Sequence, residues 1–426
     1  MNIQTQPINP RMQNTPAEQA LIDAFGERLS ALPGDGDVML KRDAAIEAIK
    51  AGLPTRRVEA WHYTDLRRLL ARVPAYDDSA KAEALQPLLE GSAVFAVLNG
   101  VAGKAAPLEG VAAVPVAEKL TDGAYAPALT AQDGDDAIGA LNAALVGDGW
   151  FLDIPDDTVV DKPIELQNLQ AGGQVHTRFA VKIGTGVTAT IVERQTGTGE
   201  ALVSCVDNVV VGDGANVSWL IVQEQPDTTT HLGQFNAWIG KDARLSLFVM
   251  NAGGKLVRQE VRVAARGEGA DFQLRGVNLL SGETHTDVTM VLDHAVPHTG
   301  SRELVRNVVT GRAHGVFQGR INVHQPAQKT DAKMACNTLL LSDDGEFDTK
   351  PELEIFADDV VCGHGATVTE IDHDHLFYLM ARGIDEKTAR GLLVKAFVAE
   401  VIEGLEDEKL IEALESRLDQ WFATHG

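Results

Sequence analysis

The spacing of apolar and polar positions changes twice along the chain and predicts three regions. Near the start, Thr15-Pro16-Ala17-Glu18 has the composition of a helix capping box, and apolar residues follow it at the spacing of an amphipathic helix. A second short helix is predicted over residues 42–51, and Gly52 and Pro54 end it. We therefore expect an N-terminal helical region over residues 1–92.

Residues 93–370 show a different pattern, in which short runs of Val, Ile, Leu and Thr alternate with Gly, Asp and Asn. Such runs between turn residues are typical of strands. A turn that begins with Ile-Gly or Val-Gly recurs at equal intervals, at Ile183, Val211 and Ile239. This constant period favours a β-solenoid core with two strands in each coil. The alternative is an antiparallel sandwich, whose turns usually recur about every 8–12 residues.

Residues 371–426 return to helical spacing and predict a C-terminal helical region. Asp385 is placed to cap a helix whose apolar positions are Ala389, Leu392, Leu393, Ala396, Phe397 and Val401. A last helix carries an apolar stripe of Leu410, Ile411, Leu414, Leu418, Trp421 and Phe422. Such stripes usually pack within their own chain, but at a chain terminus they also suit the docking of a partner.

Charge and cysteine content narrow the classes of function. The 37 Lys plus Arg against 61 Asp plus Glu give a formal net charge of -24, which argues against nucleic acid as a partner. Residues 1–14 lack the apolar stretch of a signal peptide, and no run of about 18 apolar residues occurs. We therefore expect a cytoplasmic protein without a membrane partner. Three cysteines suit a reducing compartment better than a disulfide framework.

Candidate metal chemistry concentrates around Cys362 and His364. Residues two apart in a strand share a face, so this thiol and this imidazole are expected to project to the same side. Together they suit iron or zinc. Cys336 precedes His364 by the same interval that separates the repeated turns, and is therefore expected beside the pair on the neighbouring rung. The alternative is that Cys336 and Cys362 are buried small hydrophobes.

Two other polar or thiol groups are assigned structural roles. Asp372-His373-Asp374-His375 has the composition of a metal site, but on a helix the two histidines would lie about 200° apart. Acidic residues in a first turn complement the helix dipole, so this segment predicts a helix cap. Cys205 lies in a Val-rich run and is expected in the core.

The chain has no Gly-x-x-x-x-Gly-Lys-Ser/Thr motif, so we expect no nucleotide site of the P-loop type.

A long ordered series of motifs resembles the SufB/SufD family. These motifs are Gln328-Lys-Thr-Asp331, Leu339-Leu-Leu-Ser342, Lys350-Pro-Glu-Leu-Glu-Ile355, Ala357-Asp-Asp-Val360, Cys362-Gly-His-Gly-Ala-Thr367, Leu376-Phe-Tyr-Leu379 and Arg382-Gly-Ile384. Gly52-Leu-Pro-Thr-Arg-Arg57 and Glu59-Ala-Trp-His-Tyr-Thr64 resemble the N-terminal signature of the SufD branch.

The resemblance implies a mainly β protein, a flattened right-handed parallel β-helix flanked by helical regions. It implies a non-catalytic scaffold subunit of iron–sulfur cluster assembly that pairs with a SufB-like subunit and docks a SufC-like ATPase. An exposed last coil would also allow the isolated chain to form a homodimer. No tightly bound cofactor is expected, only a transient iron–sulfur cluster at the partner interface. The family implicates a histidine at the His364 position, and SufB-type sequences carry a scaffold cysteine where Cys336 stands. The ATPase-docking candidates are Leu392, Leu393, Phe397, Val401, Leu414 and Leu418.

The competing function is a β-helix polysaccharide lyase or hydrolase, because that architecture is common among such enzymes. Aromatic residues for sugar stacking make up only 5% of this chain, and its net charge of -24 would repel an anionic polymer. The lack of an export signal in the sequence also argues against it. We therefore expect a scaffold rather than an enzyme.

Overall fold

The computed structural model describes residues 13–130, 135–405 and 407–425, and most of its strands lie in two stacked parallel sheets. The signal-peptide prediction for residues 1–14 falls outside this range except at its last two positions. Sheet A contains β1 Ala93–Leu98, β2 Val101–Ala102, β5 Ile164–Gln170, β7 Thr188–Gly197, β9 Asn216–Gln223, β11 Arg244–Asn251, β13 Asp271–Leu280, β15 Gly300–Val309, β17 Asp331–Leu340 and β19 Val361–Glu370. Sheet B contains β3 Ala112–Pro115, β4 Asp148–Ile154, β6 Gly173–Ile183, β8 Ala201–Val211, β10 Thr230–Ile239, β12 Leu256–Ala265, β14 His285–His294, β16 His314–Val323 and β18 Glu346–Ile355.

From β4 onward, successive strands alternate between the sheets, and each pairs in parallel with the strand two places along the chain. This is the predicted parallel β-solenoid, and the antiparallel sandwich is excluded. Ile183 pairs with Val211 and Val211 with Ile239, which confirms that the interval between the repeated turns is one coil. The pairing of Asp331 with Val361 makes the last coil of sheet A longer than that interval.

The repeated turn glycines allow coils to stack closely. A Cβ atom on Gly184 would lie 2.4 Å from the Asp156 nitrogen, and one on Gly212 would lie 2.6 Å from the Gly184 carbonyl carbon. Both distances are shorter than van der Waals contact, so a side chain at either position would push neighbouring coils apart. The recurring glycine that revealed the period is therefore a packing requirement of the solenoid.

Every second strand residue points into the lumen between the two sheets and forms the main core. β9 contributes Val217, Trp219 and Ile221, and the facing β10 contributes Phe235 and Ala237. Strands that are buried on both faces have nearly continuous apolar sequences. The runs of Val, Ile and Leu in residues 93–370 show this pattern.

Helices cover the outer faces of both sheets. The helices are α1 Pro16–Arg28, α2 Gly36–Lys50, α3 Leu66–Leu69, α4 Val116–Thr121, α5 Ala137–Leu145, α6 His373–Ala381, α7 Glu386–Ile402 and α8 Glu408–His425, with 3₁₀ turns at Glu59–Trp61 and Ala126–Leu129. α1 to α5 share a core cluster with sheet B residues such as Leu202 and Leu232. α6 to α8 share another with sheet A residues such as Leu220 and Phe248.

The first helix begins as predicted, and the second begins earlier. Thr15 Oγ1 accepts the Glu18 N–H while the Glu18 carboxylate accepts the Thr15 N–H, which completes the capping box. Asp35 caps α2, so this helix starts before the predicted position 42. α4 and α5 lie inside the range predicted as β-helix core. The Ala- and Leu-rich composition of α5 and its Asp136 cap favour a helix there.

The Glu59–Thr64 motif fixes the N-terminal region to sheet B. Trp61 is fully buried, and the Arg258 guanidinium stacks 3.9 Å from the centre of its ring. Arg258 also donates to the Ala60 carbonyl at 2.8 Å, and Thr64 Oγ1 lies 2.9 Å from His285 Nε2. The motif therefore binds this outer face. Within the described part of the chain, no helix combines the length and apolarity needed to cross a bilayer.

Candidate functional site

The last strand, β19, carries Cys362 and His364 on the same face. Among the described strands β19 pairs only with β17, where Ala332 stands opposite Cys362 and Met334 stands opposite His364. Both partners are buried in the lumen, so Cys362 and His364 also face the lumen side. Because no further coil covers this end in the described residues, Cys362 is half-buried and His364 is exposed. We call the end formed by β18 and β19 the open end.

Cys336 lies on the neighbouring strand and the same face, but it is displaced along the strand. It pairs with Ala366 rather than with His364, because the last coil is longer than the interval between the repeated turns. Its side chain is fully buried. Cys336 therefore lies on the neighbouring strand, but it is two positions along the strand from the residue opposite His364 and four from the residue opposite Cys362.

Standard strand geometry converts these offsets into separations. A rise of about 3.3 Å per residue and a spacing of about 4.8 Å between strands put the Cα atoms of Cys336 and His364 about 8 Å apart. The Cα atoms of Cys336 and Cys362 are about 14 Å apart by the same geometry. A single zinc ion takes its ligands at about 2.0–2.3 Å, so the two thiols cannot share one ion while β19 stays paired. Cys362 and His364 form the closer pair.

Burial keeps both thiols protonated at neutral pH. It raises the pKa of Cys336 to about 11, although the Asn307 side chain, which donates to the sulfur at 3.3 Å, opposes the rise. Burial also raises the pKa of Cys362, with further contributions from the Asp331 and Glu303 carboxylates. Since the thiolate is the nucleophile and the metal ligand, either cysteine needs a proton acceptor or a metal ion to react.

Glu303 is a lumen residue near this site that the sequence analysis did not identify. It pairs with Met334, which in turn pairs with His364, so the three occupy one position on successive strands of sheet A. Its side chain is buried beside Ser301, and neither carboxylate oxygen makes a well-aligned hydrogen bond with the described residues. Burial raises its pKa to about 8. An acidic residue at a strand position that points into the lumen is the signal that could have identified Glu303. Recognising that position requires the strand register, which the sequence alone does not give.

The six ATPase-docking candidates divide by exposure. Val401, Leu414 and Leu418 are buried in the cluster that joins α7 and α8 to sheet A. Leu393 and Phe397 are partly buried against the same cluster. Leu392 is 46% exposed and is the most accessible of the six. The apolar stripes therefore pack mainly within the chain, because the outer face of sheet A is itself apolar.

The open end and the adjoining α6 expose several large apolar side chains. They are Ile355, Phe356, Val361, Val368, Phe377, Tyr378 and Met380. We call them the terminal apolar group. A folded protein rarely leaves so many large apolar residues exposed in one region unless they meet a partner.

The polar segment at the start of α6 has the structural role predicted for it. Asp372 caps α6 by accepting the N–H groups of Asp374 and His375, and Asp385 caps α7 by accepting that of Thr388. Cys205 is buried in the lumen, as expected.

Comparison with known proteins gives a consistent set of relatives. Residues 166–397 match the family model described as "SUF system FeS cluster assembly, SufBD core domain". The chain is 27% identical over 406 residues to the iron-sulfur cluster assembly protein SufD of Escherichia coli, an alignment that covers 88% of this chain and 90% of that protein. It is 30% identical over 389 residues to an iron-sulfur cluster assembly SufBD family protein of Mycobacterium tuberculosis, with 86% and 90% covered. It is 28% identical over 413 residues to the chloroplastic protein ABCI7 of Arabidopsis thaliana, with 90% and 86% covered.

Proposed function

Because the chain belongs to the SufB/SufD family of iron–sulfur cluster assembly proteins and is SufD-like, we propose that it is a non-catalytic scaffold subunit of that machinery. It pairs through its open end with a SufB-like subunit in the cytoplasm and docks a SufC-like ATPase through its C-terminal helices. The nascent iron–sulfur cluster is the cargo of this assembly, and it forms at the partner interface. Family membership favours this function over the polysaccharide lyase or hydrolase that a β-helix also permits.

One observation supports the proposal most strongly. His364 is exposed and Cys362 is half-buried on β19, whose outer edge pairs with no other described strand. An unpaired edge offers backbone N–H and C=O groups to a strand of another chain. The two ligand-type side chains would then lie beside the new partner. Ligands from the partner would complete a site that two residues alone cannot provide.

The two strands of the open end differ in their suitability for pairing. β18 contains Pro351, which has no backbone N–H, and the flanking Lys350 and Glu352 carry charge. Proline and charged residues are the usual features that block edge pairing. β19 has no proline, and Gly363 and Gly365 allow close approach of another chain. β19 is therefore the favoured pairing edge, for a SufB-like strand or for a second copy of this chain.

Removal of the candidate ligands tests the role in cluster assembly. In the complex with its partner subunits, the Cys336→Ser, Cys362→Ser, His364→Ala triple variant is expected to lose most of its iron and acid-labile sulfide. His375→Ala is the matched control, since His375 is an exposed histidine on α6 outside the open-end face. If the triple variant retains as much iron and sulfide as the unaltered protein, these three residues do not form the cluster-assembly site.

ATPase docking is tested with point variants rather than with a deletion. Removing residues after Asp385 would strip the apolar outer face of sheet A, because α7 and α8 cover it. Leu392→Glu and Phe377→Glu change exposed side chains instead and are expected to weaken co-purification of the ATPase. Leu40→Glu, at an exposed position on α2, is the control. Undiminished co-purification with both variants would show that the ATPase docks elsewhere.

A further inference from the structure

A second group of ligand-type side chains lies inside the solenoid, far along the chain from the open end. Glu193 on β7 and Cys205 and Asp207 on β8 each offer one ligand atom, and these atoms all lie within 4.8 Å of one another. We propose that Glu193, Cys205 and Asp207 form a binding site for one divalent transition-metal ion, Zn²⁺ or Fe²⁺, within the lumen.

The fold brings these residues together from facing sheets. β7 belongs to sheet A and β8 to sheet B, and the three residues have the same strand parity as the lumen core residues Ile191 and Val209. The Cys205 sulfur lies 3.7 Å from Asp207 Oδ1. All three side chains are buried, and Cys205 and Asp207 stand two apart on one strand and so share a face. The group is therefore positioned by the register of the solenoid and not by a loop.

Two carboxyl groups and a thiol buried together need protons or a cation to balance the charge of their ionised forms. Burial raises the pKa of Glu193 to about 7 and raises the pKa of Asp207 well above its ordinary value. The nearby Arg178 donates to Asn142 and to the Ala128 carbonyl, on the outer side of sheet B. Buried charges are paired or coordinate metals, so a divalent ion would supply the missing charge.

Thr177 offers a fourth donor atom. It stands directly opposite Cys205 in the pairing of β6 with β8 and therefore faces the lumen beside the thiol. Thr177 is fully buried, and its Oγ1, which lies beside the Cys205 thiol, makes no well-aligned hydrogen bond with the described residues. A buried hydroxyl without a partner is costly, and a ligand in the lumen would satisfy it.

The surrounding side chains hold one of the carboxylates in place. Trp219 Nε1 donates to Glu193 Oε2 at 3.1 Å, and Gln195 Nε2 donates to Glu193 Oε1 at 2.7 Å. Hydrogen bonds of this kind orient the carboxylate ligands of metal sites. The Trp219 ring packs against Phe235 at 5.2 Å between centres, so an apolar wall adjoins the group.

The donor set decides the class of metal. One sulfur with two carboxylate oxygens suits Zn²⁺ or Fe²⁺, whereas Ca²⁺ and Mg²⁺ prefer oxygen ligands alone. Binding displaces the thiol proton and the protons of the carboxyl pair to solvent. Because all three side chains are buried, the ion enters as the chain folds.

The test is refolding of the full chain in the presence of Co²⁺, which gives a near-ultraviolet charge-transfer band when a thiolate binds it. The Cys336→Ser, Cys362→Ser double variant leaves Cys205 as the only thiol. It is expected to bind one Co²⁺ per chain and to show the band. A refolded double variant without bound Co²⁺, or with Co²⁺ but no thiolate band, would overturn the site in favour of a protonated carboxyl pair.

Further variants distinguish the metal ligands from the residues that orient those ligands by hydrogen bonds. Cys205→Ser in the double-variant background is expected to abolish the band, and Trp219→Phe is expected to weaken Co²⁺ binding by about 10–100-fold. Circular dichroism reports whether each variant folds. Since the double variant alters none of the lumen residues of this group, its result decides the proposal even if a lumen variant fails to fold. The result is also independent of the open-end site, whose two cysteines are absent from it.

Discussion

Among single residues, the three cysteines differ in burial. Cys205 and Cys336 are buried, whereas Cys362 lies half-buried at the open end. The sequence predicted that Cys362 and His364 share a face and that Cys205 lies in the core. Burial of Cys336 was the alternative that the sequence left open, because its position depends on the strand register, and the last coil is longer than the turn period.

Thiol labelling in the native state follows from this difference. Iodoacetamide at mildly alkaline pH is expected to modify Cys362 first, because its sulfur is the only one of the three that solvent reaches easily. All three cysteines should react in denaturant. Mass spectrometry of peptides after timed labelling measures the order. Labelling of Cys336 as fast as Cys362 would contradict the assigned burial.

Glu303 gives a prediction for the pH dependence of stability. Its folded pKa of about 8 lies above the ordinary value of 4.5, so the native state holds a proton that the unfolded state releases. The contribution of Glu303 to the free energy of unfolding should therefore fall as the pH rises from about 4.5 to about 8. At pH 7 the cost is on the order of 3 kcal/mol, at about 1.4 kcal/mol for each pKa unit.

Glu303→Gln is expected to remove this contribution and to raise the free energy of unfolding at pH 7 by on the order of 3 kcal/mol. Urea denaturation at several pH values measures it. Glu283→Gln is the control, because Glu283 is exposed in an ion pair with Arg312. Parallel pH curves for wild type and Glu303→Gln would show that Glu303 is ionised in the folded protein.

Among elements, local sequence signals predicted the starts of several helices and the period of the coils. They did not predict the helices α4 and α5, which lie within the range expected to be β-helix. The capping box at Thr15 and the caps at Asp372 and Asp385 were predictable, because a cap is a contact between residues a few positions apart. α5 was missed because a short Ala- and Leu-rich run between strands does not distinguish a buried helix from a buried strand.

Glu18 connects the first helix to the rest of the N-terminal region. Its carboxylate accepts the Leu53 N–H at 2.8 Å and pairs with Arg67 at 3.1 Å, in addition to completing the capping box. Glu18→Ala leaves a largely buried guanidinium without this partner and is expected to cost about 3–5 kcal/mol. Urea denaturation measures the loss, and the exposed Glu27→Ala on the same helix is the control. A loss below about 1 kcal/mol would show that the pair contributes no more than a surface ion pair does.

For the whole molecule, the fold leaves one end of the solenoid incomplete. Helices cover the outer faces of both sheets, and β2 and β3 close the other end with antiparallel pairs. At the open end, by contrast, β19 presents an unpaired edge beside the terminal apolar group. An exposed last coil could be predicted from the sequence, whereas the terminal apolar group could not, because the exposure of its side chains depends on where the flanking helices pack.

The central claim is that this open end pairs with a SufB-like subunit, and light scattering of the mixed subunits measures that pairing directly. Val361→Lys with Val368→Lys places two charges at exposed positions of β19 and is expected to leave the subunits at their separate masses. Val159→Lys, at an exposed position outside β18 and β19, is expected to form the same complex as the unaltered chain. A complex of full mass with the β19 double variant would contradict the account.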